Sequence, residues 1–242
     1  MSGRYLVVIP AYNEGQNIGS VLEDLRTQMP HLDRIVINDG SHDTTEAVVR
    51  EMGEKVITLP YNLRYGAALQ TGFKYALCHN YDHVIQFDGD GQHDAREIEK
   101  LMRARVEEGA DLVIGSRFLD EAPYAMGFIR RTGVTLLRWL TWRLAGQRIT
   151  DPTSGFQLLS RKVFAYYAQK DNFPRDFPDA NVLIYMKRAG IKITEVPVRM
   201  KQRRRGKSMH SGWKVVIYVF KMLVSMLVAS LRQTPDQLRD EP

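Results

Sequence analysis

Residues 84–94 read Val-Ile-Gln-Phe-Asp-Gly-Asp-Gly-Gln-His-Asp, an apolar run that ends in two aspartates spaced Asp88-x-Asp90. In an extended segment, side chains at i and i+2 point the same way, so both carboxylates can face one ion. Carboxylate oxygens suit Mg²⁺ or Mn²⁺, hard cations that keep waters and also bind substrate phosphates. The chemistry expected of the pair is a divalent-cation site serving a phosphate-bearing donor. The plainer alternative is a tight turn whose acids cap Asp94 and the helix after it, and Asp-x-Asp alone does not choose between them.

The elements that must position this pair are legible as alternating periodicities. Tyr5 to Pro10, Arg34 to Asn38, Val56 to Leu59, His83 to Phe87 and Leu112 to Gly115 read as strands, with helical patterns over Ile18 to Gln28, Thr44 to Met52, Ala67 to Asn80 and Ala95 to Glu108. Such alternation predicts an α/β fold with a mostly parallel sheet flanked by helices, whose ligands bind at the carboxyl ends of the strands. Polar segments sit at those ends: Pro10-Ala11-Tyr12-Asn13-Glu14 after the first strand, Asn38-Asp39-Gly40-Ser41 after the second, the aspartates after the fourth. Neither Gly-x-Gly-x-x-Gly nor Gly-x-x-x-x-Gly-Lys-Ser/Thr follows any of these strands, which argues against a nicotinamide enzyme or a P-loop hydrolase. Beyond residue 117, Arg130 to Ala145 is expected to be helical and Lys192 to Met200 a strand.

With 242 residues, 44% of them hydrophobic, the chain can bury a sizeable core. Its one cysteine, Cys78, rules out an internal disulfide and fits a reducing compartment. The net charge of +6 favours an anionic partner, whether nucleotide diphosphate, phospholipid surface or nucleic acid. The first residues enter an apolar strand without the charged start and cleavage site of a signal peptide, so export by that route is not expected.

Taken in order, Val8-Ile9-Pro10-Ala11-Tyr12-Asn13-Glu14, Asn38-Asp39-Gly40-Ser41 with Asp43, Asn62-x-x-x-Gly66, Asp88-Gly-Asp90 and Gly115-Ser116-Arg117 resemble the nucleotide-sugar-binding half of family 2 glycosyltransferases. Asp151-Pro-Thr-Ser154-Gly155-Phe156-Gln157 and Arg203-x-x-Gly206-x-Ser208 resemble its polyprenyl-phosphate branch, which includes dolichyl-phosphate mannose synthases and undecaprenyl-phosphate sugar transferases. The resemblance implies a GT-A fold, a mostly parallel twisted sheet flanked by helices, and metal-dependent inverting transfer from a nucleotide diphosphate-sugar, UDP- or GDP-linked. It implies that Pro10, Tyr12 and Glu14 line the base and ribose and that Asp39 accepts a hydrogen bond from the base, although Asp39-Gly40-Ser41 equally suits a turn and helix cap. Gly66 would let backbone approach the nucleotide, or simply open a helix. Asp90 is the better direct metal ligand, Asp88 would hold ribose or a metal-bound water, and Gln92 would contact the sugar or that water. His93, beside a turn, is expected to cap or pack.

On the acceptor side, Arg117 and one of Arg130 or Arg131 resemble positions that grip a phosphate, for which a guanidinium offers a planar fork of donors. Asp151 is the candidate general base and could equally orient an arginine, an acceptor group or the turn after it. The run Arg199 to Lys207 is densely cationic; Arg203 and Ser208 in their Arg-x-x-Gly-x-Ser spacing favour a phosphate clamp over an anionic membrane surface or nucleic acid. Two departures from the family pattern are Asn38-Asp39 in place of a double aspartate and Phe177-Pro178-Asp179-Ala180-Asn181, where relatives carry an acid in the following helix; Asp179 is its expected substitute.

Val215 to Leu231 is apolar except for Lys221 and two serines, short and interrupted for a bilayer span. The expected organisation is a catalytic domain over residues 1–210, with a donor half at 1–116 and an acceptor half at 117–210. An amphipathic or hydrophobic helix at 211–233 and a polar tail at 234–242 follow. A helix that apolar needs cover: the membrane interface, a small integral-membrane partner, a second copy, or the protein's own core. The reading that follows is a peripheral enzyme on the cytoplasmic membrane face, requiring Mg²⁺ or Mn²⁺, that moves a sugar onto a polyprenyl phosphate. Its alternatives are transfer to a hydroxyl of a lipid-linked glycan or polysaccharide, and a non-catalytic nucleotide-sugar-binding or scaffold subunit. No nucleic-acid partner is expected.

Overall fold

The computed structural model describes residues 3–119, 128–176, 178–201 and 213–231, with the backbone alone at 128–131 and 213–219. Seven strands form one sheet in the order β3-β2-β1-β4-β6-β5-β7. They are β1 (Tyr5–Ala11), β2 (Asp33–Asn38), β3 (Val56–Thr58), β4 (His83–Gln86), β5 (Leu112–Ser116), β6 (Gln157–Ser160) and β7 (Ile193–Pro197). All pairings are parallel except those of β6, which runs antiparallel between β4 and β5. This is the mostly parallel, helix-flanked sheet expected from the alternation.

Every residue of β1 is buried, as a central strand covered on both faces requires. Its side chains divide by the two-residue period of a strand. Leu6 and Val8 enter one core with α3 (Tyr65–Cys78), α6 (Arg161–Ala168) and α7 (Ala180–Arg188). Tyr5, Val7, Ile9 and Ala11 enter the opposite core with α1 (Ile18–Gln28) and α4 (Ile98–Glu108). Helix α1 buries Ile18, Val21, Leu22 and Leu25, a single stripe at helical spacing. Helix α2 (Thr45–Glu51) lies beside it, and a 3-10 turn at Ala95–Glu97, capped by the Asp94 carboxylate, leads into α4. A third, smaller cluster joins Leu137 of α5 (Phe128–Ala145) to Ile184 of α7 and Met222 and Met226 of α8 (Trp213–Leu231). Among the described residues no helix is long and apolar enough to cross a membrane.

Two segments differ from expectation. The last strand stops at Pro197 rather than Met200, which makes only an isolated bridge with His93. Strand β6 and helices α6 and α7 are elements beyond those expected: β6 carries no periodic signal, being four residues long with Leu158 and Leu159 going to opposite cores.

Candidate functional site

The polar segments gather at one edge because β1, β2, β4 and β5 all end there. The turns after β1 and β2 interlock. Asn13, in a left-handed conformation (φ 54°), donates its amide to Ser41 Oγ at 2.9 Å and accepts from the His42 amide at 2.9 Å. The Glu14 amide donates to Thr45 Oγ1 at 2.9 Å, and its carboxylate accepts from Asn17 Nδ2 at 2.6 Å. Pro10 is buried, whereas the Tyr12 ring stands 41% exposed beside it.

Asp39 is buried, and its carboxylate accepts the amides of Leu63 (2.7 Å) and Arg64 (3.0 Å). Burial pushes its carboxyl pKa upward, and those two amides hold it back. A carboxylate has about four acceptor positions, so two remain for a base edge. The clasp secures a strained point: Arg64 has φ 82° and ψ 160°, a region almost confined to glycine. Two residues on, a Cβ at Gly66 would collide with the Pro174 carbonyl oxygen, and the Gly66 amide donates to Arg175 O at 2.8 Å. The close approach at this glycine is thus to the 174–175 backbone, at the first turn of α3.

The residue between them, Tyr65, opens α3 and donates its hydroxyl to Asp88 Oδ1 at 2.9 Å. The other Asp88 oxygen meets His93 Nε2 at 3.2 Å. An ionised carboxylate only accepts, so Nε2 carries the hydrogen. Burial works against the Asp88 charge, but the hydrogen bonds from His93 and Tyr65 outweigh it and hold the carboxyl below its ordinary range. The His93 imidazole is itself buried, stacked on Phe156 and edge-on to Phe87. It packs, as expected, and it also steadies Asp88, which the sequence did not reveal. Gly155 closes this side: a Cβ there would lie 2.8 Å from the Tyr65 hydroxyl and 3.2 Å from Asp88 Oδ2.

Asp90, two residues on, accepts the Gln92 amide at 3.0 Å. Among the described residues no group of three or more His, Cys, Asp or Glu gathers as a metal cage. Gln92 O accepts the Lys201 amide at 2.7 Å, and Lys201 Nζ pairs with Asp24 at 2.9 Å, so the chain entering the basic run departs from beside the aspartate loop. Arg203 and Ser208 lie outside the described residues.

Across β6 from Asp88 lies the second cluster. Arg117 donates Nε and Nη2 to the two oxygens of Asp151, each at 2.6 Å, and Nη2 also to Thr153 Oγ1 at 2.9 Å. The Asp151 side chain is 0% exposed. Behind it Glu195, which the sequence did not single out, accepts the Thr150 and Asp151 amides and the Thr150 hydroxyl. Burial pushes the Glu195 carboxyl upward against those donors. Arg138 of α5, also unforeseen, lays its guanidinium 3.8 Å over the Phe118 ring. Arg130 and Arg131 lie in the first turn of α5, their side chains outside the described residues. Asp179 precedes α7 and acts electrostatically on Tyr65.

Comparison with known proteins agrees with this geometry. A UDP-N-acetylglucosamine–dolichyl-phosphate N-acetylglucosaminyltransferase of Methanococcus voltae is 28% identical over 95% of this chain and 97% of its own. A polyprenol monophosphomannose synthase of Mycolicibacterium smegmatis is 29% identical over 90% and 85%. Glucosyl-3-phosphoglycerate synthase from Mycobacterium tuberculosis, solved with Mn²⁺ and UDP-glucose, superposes with a TM-score of 0.67 at 21% identity, covering 95% of this chain and 79% of that one, which shows a shared GT-A fold. The family model for glycosyl transferase family 2 matches residues 6–167, and with strands, turns and acidic loop in the places described, the chain belongs to that family.

Proposed function

We propose that this enzyme transfers a sugar from a nucleoside diphosphate-sugar to a polyprenyl phosphate at the cytoplasmic face of a membrane, inverting the anomeric centre. The observation that carries the reading is the state of Asp151. Its carboxylate is buried with both oxygens committed to Arg117, so the acceptor side presents a braced cation rather than a base. A hydroxyl acceptor needs a base to remove its proton, and a phosphate, already ionised, does not. Both named relatives are enzymes of polyprenyl phosphates.

Asp88 and Asp90 suit a hard divalent cation: two carboxylates from one loop, one kept ionised by its neighbours, a donor set that leaves room for substrate phosphate and water. With both Asp88 oxygens engaged by Tyr65 and His93, Asp90 is the direct ligand and Asp88 the carboxylate that fixes the loop. When bound, the Mg²⁺ or Mn²⁺ neutralises charge on the departing diphosphate. Tyr12, Glu14 and Asp39 hold the nucleoside, Arg117 holds the acceptor phosphate, and Asp151 aims Arg117. A phosphate oxygen bonds to the anomeric carbon as the bond to the diphosphate oxygen breaks, and the nucleoside diphosphate leaves.

The test is sugar transfer from UDP- and GDP-linked donors onto undecaprenyl or dolichyl phosphate, the parent alcohols, and lipid-linked glycans. The expected result is product with the phosphate alone, lost on chelation and lost in Asp90→Ala with an unchanged circular-dichroism spectrum. Transfer to hydroxyl acceptors with none to phosphate refutes the acceptor assignment, and metal-dependent turnover by Asp90→Ala refutes the ligand assignment.

A further inference from the structure

Arg138 sits in the middle of α5, its guanidinium stacked on Phe118 and within electrostatic reach of Arg117, Asp151 and Glu195. Burial lowers its pKa, with the Asp151 and Glu195 carboxylates opposing that shift, yet neither acid hydrogen-bonds to its Nε or Nη2. Those two nitrogens are shielded from solvent and have no hydrogen-bond partner among the described residues. Together they form the side-on edge of the guanidinium, the pair of parallel N–H donors that fits two oxygens of one carboxylate or phosphate.

The same edge of Arg117 is already filled, by Asp151. Two neighbouring arginines thus differ in one respect: one fork is satisfied by a carboxylate, and the other is buried and unsatisfied among the described residues. Leaving buried charged donors unpaired is costly, and stacking on Phe118 satisfies the face of the guanidinium but not its edge. A bound oxyanion removes that cost. Asp151 cannot serve both arginines, because its four acceptor positions take the Arg117 amide, Nε and Nη2 and the Thr153 hydroxyl, and Glu195 faces the Thr150 and Asp151 amides and the Thr150 hydroxyl instead.

We infer that Arg138 is an acceptor-binding residue whose open Nε/Nη2 fork grips two oxygens of the acceptor's phosphate monoester, beside the braced Arg117. This rests on the proposed transfer to a polyprenyl phosphate and adds to it the residue that distinguishes a phosphate from an alcohol. A dianionic monoester then meets two guanidinium groups, one rigidly oriented and one desolvated, while the prenyl chain is left free to follow the apolar side of α5, where Trp139 and Trp142 are exposed.

The experiment uses the full-length protein and citronellyl phosphate, a short soluble prenyl phosphate, with citronellol as the uncharged control. Calorimetry is expected to show wild-type binding to the phosphate and not to the alcohol. Arg138→Met is expected to weaken that binding about 10- to 100-fold, the loss of one charge-assisted pair, and to raise the acceptor KM more than it lowers kcat. The thermal shift given by nucleotide-sugar with Mn²⁺ stays unchanged. Arg138→Lys, which keeps the charge and loses the fork, recovers only part of the affinity and guards against a folding defect in the methionine variant. Millimolar methylguanidinium is expected to restore acceptor binding to Arg138→Ala, which a merely structural role would not predict. Wild-type affinity in both Arg138→Met and Arg138→Lys overturns the inference while leaving the proposed function standing. Failure of the wild-type protein to bind the phosphate overturns both.

Discussion

At the scale of single residues, the Arg117–Asp151 pair separates what holds the protein together from what makes it work. Removing one partner of a buried pair leaves an uncompensated charge, so Asp151→Ala is expected to lower stability by about 3–5 kcal/mol in urea unfolding. The double replacement Arg117→Met with Asp151→Leu restores most of that stability, because a well-packed apolar pair substitutes for a buried ion pair at little cost, yet transfer to the acceptor stays abolished. A double variant as unstable as Asp151→Ala refutes the account. The sequence exposed Asp88, Asp90, Arg117 and Asp151 because motif residues keep fixed spacing along the chain. It could not expose Tyr65, Glu195 or Arg138, whose contacts span long separations, such as Tyr65 to Asp88 or Glu195 to Thr150, nor the bond from His93 to Asp88. Only His93 had a local hint, its place three residues beyond Asp90, and there the packing reading was half of the answer.

At the scale of elements, β4 carries a pH liability at its first residue. His83 is 9% exposed and stacked on Tyr5, with Nδ1 buried and unpartnered among the described residues. Burial, aided by Arg105, lowers its pKa from 6.5 to about 4, with Asp82 opposing. Below pH 6.5 the unfolded chain takes up a proton that the folded strand refuses. Stability is therefore complete above 6.5 and falls as pH drops toward 4, by up to about 3 kcal/mol in total. His83→Phe is expected to flatten the urea-midpoint slope between pH 6.5 and 4, and an unchanged slope overturns the assignment. Carboxylates held below their ordinary range, such as Asp94 with Arg96, act only at lower pH. The strand itself was legible, as were β1, β2, β3, β5 and the first four helices, because each carries its own periodicity. Strand β6 was not, since four residues divided between two cores carry no pattern, and what fixes them is pairing with strands distant in sequence.

At the scale of the whole molecule, α5 and α8 pack together through Leu137, Met222 and Met226 and turn large apolar side chains outward: Trp139, Trp142, Phe220, Val224, Leu227 and Leu231. With a net charge of +6, the protein is expected to sediment with vesicles containing phosphatidylglycerol and far less with neutral ones. Replacing Trp139, Phe220 and Leu227 together by serine is expected to weaken that partition about tenfold or more, as loss of buried apolar area. Vesicle binding unaffected by the triple change means that another surface makes the contact. The reversed direction of β6 has its own effect on assembly: it pairs residue 83 with residue 160 and delivers Gly155 against Asp88. A nascent chain grown only as far as residue 116 has the turns after β1 and β2 but an open flank on β4, where Val84 and Ile85 await Leu159 and Leu158. The two flanks of the proposed site meet only when that reversed strand slots in, so a chain stopped at residue 116 is expected to hold Asp88 without Gly155 against it.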